Sequence, residues 1–403
     1  MVGEKNILSL DLGSFSVRGC LAGVSKDGNV LIKALCEKNC NSSEDFEKTV
    51  ASVISETQHE ANVKCDGIVV SNSAIEISTL TASGSVSIDP GSSEISQKDV
   101  RNVIEVARSS QIPQDRELIH VLIQDYTVDG KEKIKDPIGM DGRKLDCRVL
   151  LVTALKSETA GLRSIIQKQS SSPVRFVISQ IADSEALLSK EDKDAGCVLI
   201  NIGSDSTSMI VYTGSAASFC SKIPYGAANI TKDIACLFNI SFADAESLKN
   251  ESGACFLDSV DPAERCIIKI NESTSVSLPK QELAKIIEPR MAEIFSMLKT
   301  QLDDKFPNMN YGDNLILTGG GSLLSGVPSL ASQIFGMNSK LGYPVFLEGL
   351  DRSFINPKYS TVLGLVKVES RHLGGTINNV KTKTIRENSV FKDKISSLFR
   401  KMI

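Results

Sequence analysis

Apolar and polar positions along this chain follow two periods: short apolar runs that fit strands and longer amphipathic stretches that fit helices. Two stretches about 190 residues apart, 6–23 and 197–214, share one pattern in which two apolar runs flank a small polar turn containing Gly. Such a pattern predicts a β-hairpin. Two similar hairpins predict a chain made of two homologous halves, and chance similarity is the alternative.

The segments around the two hairpins alternate between helical and strand patterns. Helices are predicted at 50–59, 157–169, 231–238, 242–250 and 278–302, and strands at 67–71, 150–153 and 314–317. This alternation favours an α/β fold in which helices pack on mixed sheets.

The pattern changes between residues 82 and 153. A helix is predicted at 96–109, because Ser96 and Asp99 have capping-box spacing just ahead of an apolar face that begins at Val100. Strands are predicted at 120–126 and 144–151, separated by a long turn. The region is therefore predicted to be a small α+β unit inserted into the first half. Residues 369–388 are polar and aperiodic, which is typical of a linker.

Composition and charge narrow the functional classes. The 403 residues carry a net charge of −4, include no Trp and are 5% aromatic, so neither a basic field nor a base-stacking surface points to nucleic acid as a partner. The charge is uneven, because residues 381–403 carry +5 and the rest of the chain carries −9. A basic tail on an acidic body predicts attachment to an anionic surface.

The sequence also indicates the cellular compartment of the protein. The first residues lack the basic and apolar regions of a signal peptide, and no stretch reaches the ~18 apolar residues that span a bilayer. We therefore expect a cytoplasmic protein whose membrane contact is peripheral. Ten cysteines without a C-x-x-C pair, among them Cys197 and Cys236 in apolar runs, are predicted to be buried reduced thiols. Neither Cys36 with Cys40 nor the three isolated His have the ligand spacing of a zinc site.

Three short motifs carry the candidate chemistry. The first is Asp11-x-Gly13-Ser14, with Arg18 beyond it. A tight turn with Gly exposes backbone N–H groups to a phosphate, and an Asp at a strand end can hold Mg²⁺ through water. Alone this motif is weak evidence for a phosphate site, because most turns of this composition only connect two strands.

The other two motifs strengthen the first. The second is Asn201-x-Gly203-Ser204-Asp205-Ser206, in the second hairpin. The third places Gly319, Gly320, Gly321 and Ser322 between a β-rich run and an apolar helix start, where the backbone can approach a ligand closely. Two hairpins and a Gly-rich turn can together surround one nucleotide.

These motifs and several longer stretches resemble the actin-like ATPase superfamily and, within it, the FtsA family of bacterial cell-division proteins. The stretches that narrow the match are Ile223-Pro-Tyr225-Gly226, Thr231-x-Asp233-Ile234, Asp244-Ala-Glu246-Ser-Leu-Lys249, Ile287-Glu288-Pro289-Arg290 and Pro357-x-Tyr359-Ser360-Thr361-x-x-Gly364-Leu365. In the insert, Ile95-Ser96-Gln97-x-Asp99-Val100, Gln124-x-Tyr126 and Pro137-x-Gly139 are also similar. The resemblance covers nearly the whole chain.

The resemblance implies an α/β, actin-like (ribonuclease H-like, duplicated) fold of two lobes with an FtsA-type inserted α+β subdomain. The first-lobe core is expected at 1–81 with 154–190, the insert at 82–153, the second-lobe core at 191–222 with 307–368, and the second-lobe outer subdomain at 223–306. A linker at 369–388 and an amphipathic membrane-targeting helix at 389–403 follow.

By position, the resemblance implies that ATP and Mg²⁺ bind in the cleft between the lobes. Asp11 is expected to be the magnesium-side carboxylate, Arg18 a phosphate-contacting base, and Glu246 and Lys249 the pair that flanks ribose and adenine. The expected nucleotide-binding residues are Asp11, Gly13, Ser14, Phe15, Arg18, Asn201, Gly203, Ser204, Asp205, Ser206, Gly226, Glu246, Lys249, Gly319, Gly320, Gly321 and Ser322.

The second hairpin departs from the family loop, which reads Asp-x-Gly-Gly-Gly-Thr. Asn201 stands where that loop has Asp, and Asp205 adds a negative charge that would repel a phosphate by roughly 1–4 kcal/mol at about 4 Å. Ser179-Gln180-Ile-Ala-Asp183 lacks the Glu of many relatives, so Gln180, like Asp11, is only a weak catalytic candidate. We expect weakened nucleotide binding and weak or absent ATPase activity. A pocket that binds nothing is the alternative.

The last segment has the pattern of an interfacial helix. At 100° per residue, Phe391, Ile395, Leu398, Phe399 and Met402 fall within an arc of roughly 100°. The cationic residues Lys394, Arg400 and Lys401 lie elsewhere on the helix. Bulky apolar side chains on one face and cations on the other are typical of a helix that lies in an anionic membrane surface. A terminal helix docked on the protein's own core is the alternative.

By resemblance, the chain would tether FtsZ to the cytoplasmic face of the cell inner membrane at the division septum, polymerise with itself and recruit later cell-division proteins. FtsZ would dock near 223–306, and the insert would contribute to the filament contact. A sugar kinase would need a catalytic Asp and a sugar pocket, which are not recognisable. A chaperone-type ATPase would need more than the about 35 residues after Val368. A pilus-assembly adaptor of the same superfamily is the nearest alternative.

Overall fold

The computed structural model describes residues 4–40, 45–72, 76–89, 91, 94–109, 112–271, 274–307 and 313–373. The predicted helix at 389–403 and most of the predicted linker lie outside these residues. In chain order the strands are β1 (Lys5–Leu12), β2 (Ser16–Val24), β3 (Val30–Asn39), β4 (Gly67–Asn72), β5 (Ile77–Ser87), β6 (Arg116–Val128), β7 (Lys131–Ile134), β8 (Lys144–Leu155), β9 (Val174–Phe176), β10 (Cys197–Ile202), β11 (Thr207–Thr213), β12 (Ala216–Ile223), β13 (Arg265–Asn271), β14 (Thr274–Pro279), β15 (Asn314–Thr318) and β16 (Asn338–Leu341).

Helices connect these strands. The α-helices are α1 (Phe46–Ala61), α2 (Gln97–Arg108), α3 (Lys156–Gln167), α4 (Ser179–Leu187), α5 (Lys190–Ala195), α6 (Ala227–Phe238), α7 (Phe242–Ser252), α8 (Lys280–Lys305), α9 (Val327–Phe335) and α10 (Ser360–Leu373). Short 3-10 helices lie at Leu257–Ser259, Gly320–Leu323, Arg352–Phe354 and Pro357–Tyr359.

Two five-stranded sheets have the same topology. Their strand orders are β3-β2-β1-β4-β9 and β12-β11-β10-β15-β16. In each sheet the first three strands along the chain are antiparallel neighbours, and the next two join in parallel. The two hairpins predicted from the sequence are β1–β2 and β10–β11, at equivalent places in the two sheets. The prediction of two homologous halves is therefore confirmed.

The inserted region forms its own sheet, in the order β5-β8-β6-β7, with α2 packed on it. The predicted capping box of α2 is present, since the Ser96 hydroxyl accepts from the Asp99 N–H and the Asp99 carboxylate accepts from the Ser96 N–H. Val103 and Ile104 of α2 are buried against Leu145 and Val149 of β8. The unit thus has a separate apolar core.

Two local predictions were wrong. The helix predicted from 278 begins at Lys280, because Leu278 belongs to β14, where it pairs with Cys266 of β13. Cys236 is exposed rather than buried, because it lies about 200° around α6 from the buried Ile234, and Cys40, just after the end of β3, is only half-buried. All ten cysteines are free thiols.

Helices α4 and α10 join the two halves. Although α10 follows the second sheet along the chain, Val362 and Val366 pack with Cys20 and Ile32 of the first sheet. The Ser9 hydroxyl of β1 donates to the carbonyl oxygen of Val362 over 2.9 Å. This packing brings the turn after β1 opposite the turns after β10 and β15.

Candidate functional site

A cavity of about 950 Å³ opens where the three turns meet, with walls from both halves of the chain. The predicted residues that line it are Asp11, Gly13, Ser14, Phe15, Arg18, Asn201, Gly203, Ser204, Asp205, Ser206, Glu246, Lys249, Gly319, Gly320 and Gly321. The structure thus brings the three motifs and the acid–base pair of α7 around one space. Gly226 and Ser322 lie just behind the wall, and Gln180 lies elsewhere.

The first hairpin presents a network of charged groups rather than a free carboxylate. Arg18 lies between Asp11, at 3.1 Å, and Glu37 of β3, at 2.9 Å. Glu37 also accepts hydrogen bonds from Lys358 Nζ and the Tyr359 hydroxyl, each over 2.9 Å. The network therefore links the first sheet to the segment just before α10. Sequence reasoning found Asp11 and Arg18 but missed Glu37, whose position within β3 gave no local signal.

Burial and charge act in opposite directions on the two carboxyls. Burial raises the pKa of Asp11, and the charge and hydrogen bond of Arg18 oppose that shift. Burial would also raise the pKa of Glu37, but Arg18 and the hydrogen bonds from Lys358 and Tyr359 hold it at about 2. Glu37 is therefore fixed as a carboxylate, and it keeps Arg18 in place beside Asp11.

We expect Glu37→Gln to destabilise the protein most near neutral pH. The folded-state pKa of about 2 lies below the ordinary value of 4.5, so the ionised group stabilises the fold above about pH 4.5, and this contribution is lost as pH falls through 2. The shift corresponds to roughly 3 kcal/mol. Urea unfolding of the two proteins at pH 7 and pH 3 would show a difference that shrinks at pH 3.

Glu56→Gln is the matched control for that prediction. Glu56 forms an ion pair with Lys38 on the surface, so the same chemical change should have a much smaller effect. A Glu37→Gln protein as stable as the unaltered chain at pH 7 would contradict the assigned role of the network.

The second hairpin turn is held against the start of α6. The Gly203 N–H donates to the carbonyl oxygen of Ser206 over 3.0 Å, and the Ala227 and Ala228 N–H groups donate to the carbonyl oxygens of Gly203 and Ser204, each over 2.9 Å. A Cβ on Gly226 would lie closer than 3.0 Å to the same carbonyl oxygens. Gly226 is thus required for close packing beneath the turn, while Asp205 is exposed at the mouth of the cavity.

The three glycines of the turn after β15 have different amounts of space around them. Gly319 has a positive φ of 85°, and a Cβ there would lie closer than 3.0 Å to Asn201 Oδ1. A Cβ on Gly321 would meet Ile202 at a similar separation, whereas one on Gly320 would meet nothing within 4 Å. Ser322 is buried, and its hydroxyl donates to the carbonyl oxygen of Gly319 over 2.7 Å. Gly320 is therefore the glycine of this turn whose backbone is open to the cavity.

Helix α7 supplies a paired acid and base to the wall. Lys249 is only 5% exposed, and its Nζ donates to Glu246 over 2.7 Å, to the Thr231 hydroxyl over 2.8 Å and to the carbonyl oxygen of Ala227 over 3.3 Å. Burial lowers the pKa of Lys249, and Glu246 opposes that shift. With its three N–H donors engaged, Lys249 joins α7 to α6 and forms a preorganised wall.

Gln180 and Asp183, two of the polar residues of α4, lie in different surroundings. Gln180 is buried, and its amide donates to the carbonyl oxygen of Ser221 over 3.2 Å, away from the large cavity. Asp183, one turn later, is 1% exposed and lies behind the wall of the large cavity. Burial raises its pKa to about 7, against hydrogen bonds from Asn201 and Thr361, and the nearby Asp11 adds to the rise. The sequence indicates Gln180 as a weak catalytic candidate and assigns no role to Asp183, which is on the same face of the helix.

A metal ion bound at this site would need ligands other than protein side chains. Among the described residues, no group of three or more His, Cys, Asp or Glu side chains could hold one. Asp11 is the acidic side chain beside the first turn, and it is already paired with Arg18.

Comparisons with known proteins identify the family to which this chain belongs. A family model described as cell division protein FtsA matches residues 198–364, and one described as the SHS2 domain inserted in FtsA matches 75–153. The cell division protein FtsA of Borreliella burgdorferi is 31% identical over 332 residues, which cover 81% of this chain and 80% of that protein. The chain belongs to the FtsA family. FtsA of Escherichia coli K12 is 27% identical over 416 residues, covering 99% of this chain and 98% of that protein.

Solved structures place this FtsA-family chain in the actin-like fold. The PilM–PilN type IV pilus biogenesis complex contains a chain with a TM-score of 0.62 and 19% identity, and the match covers 90% of this chain and 98% of that one. MreB5 of Spiroplasma citri bound to ADP matches with a TM-score of 0.53 and 11% identity, covering 93% and 99%. The expected two-lobed, duplicated fold with an FtsA-type insert is confirmed.

Proposed function

We propose that this FtsA-family protein binds ATP with Mg²⁺ between its lobes, hydrolyses it slowly or not at all, and attaches FtsZ to the cytoplasmic face of the inner membrane at the division septum. The observation that carries the proposal is the convergence of three turns from both halves on one cavity. Family membership supplies the cell-division context.

The residues of the cavity fit a nucleotide. Its volume of about 950 Å³ is at the upper end of ordinary small-molecule sites. Ser14 and the turn at Gly203 suit phosphate oxygens, and Gly320 leaves the backbone open. Asp11 would contact Mg²⁺, because this ion is usually bound by one or two carboxylates together with waters and substrate phosphates. When bound, Mg²⁺ would neutralise phosphate charge. In the MreB5 structure, an actin-like protein is bound to ADP.

Slow hydrolysis follows from the side chains at the wall. Asn201 occupies the end of β10 with a neutral amide, which cannot act as a base at neutral pH. Gln180 is held on Ser221 away from the cavity. Asp183 lies behind Asn201 rather than in the cavity, and its carboxylate already accepts two hydrogen bonds.

The partners are proposed from the family and from exposed apolar residues. Leu237 and Phe242 are 66% and 45% exposed beside the turn between α6 and α7, and Ile267 of β13 is 65% exposed. Exposed apolar groups in 223–306 support FtsZ docking there. Self-assembly involving the insert, and recruitment of later division proteins, complete the proposal.

Membrane attachment is proposed to depend on the C-terminal segment. In the part of the chain that the structure describes, no helix combines the length and the apolar character needed to cross a bilayer. Each cation near an anionic leaflet contributes roughly 1 kcal/mol, and partial burial of five bulky apolar side chains adds several more. One copy should therefore bind weakly, and polymerisation should strengthen binding through avidity.

We expect the full chain, but not a version truncated after Asn388, to carry FtsZ into the pellet with anionic vesicles. Leu398→Glu should reduce vesicle binding at least about tenfold, because it places a charge on the apolar face of the helix. Ser397→Glu is the matched control, since it adds the same charge on the opposite face of the predicted helix and should lower binding only about fivefold, through the roughly 1 kcal/mol of one charge. Each mixture is compared with Mg-ATP and with EDTA.

The outcomes separate the parts of the proposal. Vesicle binding without FtsZ in the pellet would keep the anchor and remove the FtsZ role. Equal effects of Leu398→Glu and Ser397→Glu would show that binding depends on charge alone. Retention of vesicle binding after truncation would contradict the anchor, and absence of vesicle binding by the full chain would favour a tail that packs on the protein itself.

A further inference from the structure

Three polar side chains from three elements form a buried triangle behind the cavity wall. Asn201 Nδ2, at the end of β10, donates to Asp183 Oδ2 of α4 over 2.7 Å. The Thr361 hydroxyl of α10 donates to Asp183 Oδ1, also over 2.7 Å. Asn201 Nδ2 lies 3.3 Å from the Thr361 hydroxyl oxygen and closes the triangle. The second sheet is thus tied to both helices that join the halves.

The triangle fixes which atom of Asn201 is left for a ligand. Its amide nitrogen is engaged by Asp183 and Thr361, so the carbonyl oxygen Oδ1 is the remaining polar atom. That oxygen lies beside Gly319, where a Cβ would not fit. Asn201 and Thr361 line the cavity, whereas Asp183 does not. Asp183 therefore acts on the cavity through Asn201.

Asp183 also explains why an amide suits position 201 better than a carboxylate. An Asp in place of Asn201 would put two buried carboxylates within hydrogen-bond distance, an arrangement that requires them to share a proton. An amide avoids this conflict, because it donates to Asp183 and still offers an oxygen. The two positions are therefore coupled through one short hydrogen bond.

We propose that Asp183 is a positioning residue of the nucleotide site, and that Asp183 and Asn201 form an exchanged pair. The expected family loop has its carboxylate at the cavity wall. In this pair the carboxylate is that of Asp183, one layer behind the wall, and it holds the neutral amide oxygen of Asn201 toward the ligand. The proposal rests on nucleotide binding in the cavity and specifies how the end of β10 takes part. Its consequence is that Mg²⁺ raises nucleotide affinity less in this chain than it would with a carboxylate at position 201, because the ligand-facing oxygen of Asn201 is uncharged and Asp11 alone would supply a charged ligand.

The test is a double-mutant cycle in the full-length protein with Asn201→Asp, Asp183→Asn and the two changes together. ATP binding is measured by calorimetry with Mg²⁺ and with EDTA, and stability by urea unfolding. We expect Asn201→Asp to weaken binding at least tenfold and to lower the urea midpoint. The double variant should recover the midpoint and bring affinity with Mg²⁺ to within threefold of the unaltered chain, while its affinity in EDTA stays lower because a carboxylate at position 201 repels the phosphates. It should also raise the ratio of affinities with and without Mg²⁺ at least tenfold, a change that a merely structural pair would not produce.

Each result decides one part of the proposal. Additive effects of the two substitutions on the urea midpoint would overturn the exchanged pair. Recovery of stability without a change in the Mg²⁺ ratio would overturn the positioning role and leave a purely structural bond. If the unaltered chain binds no ATP under either condition, the proposed nucleotide function fails, and the positioning role fails with it. The urea cycle alone would still decide whether the pair is coupled.

Discussion

Replacing Gly364 with Ala is expected to destabilise the protein by roughly 3 kcal/mol, at the upper end of the range for overpacking. Gly364 lies in α10 where it crosses α4, and a Cβ there would lie closer than 3.0 Å to the carbonyl group of Ala182. Backbone cannot rotate aside as a side chain can, so the two helices must separate. The effect would exceed the gain of about 1 kcal/mol that Ala normally brings to a helix.

Gly161→Ala is the matched control, because Gly161 is also helical but exposed, with nothing within 4 Å of the added methyl group. This variant should be as stable as the unaltered chain or more stable by about 0.5–1 kcal/mol. Thermal and urea unfolding of both variants would test the difference. If Gly364→Ala unfolded at the same urea concentration as Gly161→Ala, the close crossing of α4 and α10 would be contradicted.

The same crossing links the fold to the site. Helix α4 carries Asp183 and α10 carries Thr361, three residues before Gly364. Separation of the helices would therefore pull apart the triangle that holds Asn201. A loss of ATP affinity that accompanies the loss of stability in Gly364→Ala is the expected consequence.

Much of the fold could be predicted because its signals are local. The two hairpins show as apolar runs around a Gly turn, and α2 shows as Ser96 and Asp99 at capping-box spacing ahead of an apolar face. The start of α8 was misplaced because the apolar Leu278 suits a helix as well as a strand. Its pairing with Cys266 across the β13–β14 hairpin decides the outcome, and pairing is not visible in a single run of sequence.

The same distinction between local signals and distant contacts applies to the candidate site. Glycines and short polar turns marked the three loops, because phosphate-binding turns have a local composition. The charged support behind them depends on contacts between distant residues: Glu37 with Tyr359 is separated by 322 positions, and Thr361 with Asp183 by 178. No periodicity within a helix or strand encodes such contacts. Asn201 alone indicates only the loss of a carboxylate, and its role depends on Asp183, which is 18 positions away in the sequence.

Replacing Gly319 with Ala should have the largest effect at the site itself. At φ 85° and ψ 165° the backbone is in a region that is essentially restricted to Gly, which costs another residue about 1–3 kcal/mol. The added methyl group would also press on Asn201 and on the backbone of Ile202, at a further cost of about 1–3 kcal/mol. We expect a total of roughly 2–6 kcal/mol in urea unfolding, together with loss of measurable ATP binding.

Gly320→Ala separates the two causes of that result, since it adds the same methyl group one residue later in open space. Its stability should change by less than about 1 kcal/mol, because neither strain nor contact opposes the methyl group. Gly320 nevertheless lines the cavity, so ATP affinity should fall at least about tenfold if this backbone approaches the nucleotide. A stable Gly320→Ala protein with unchanged ATP affinity would place the nucleotide away from this turn. A Gly319→Ala protein as stable as Gly320→Ala would contradict the close packing of the turn on Asn201, on which the position of the amide depends.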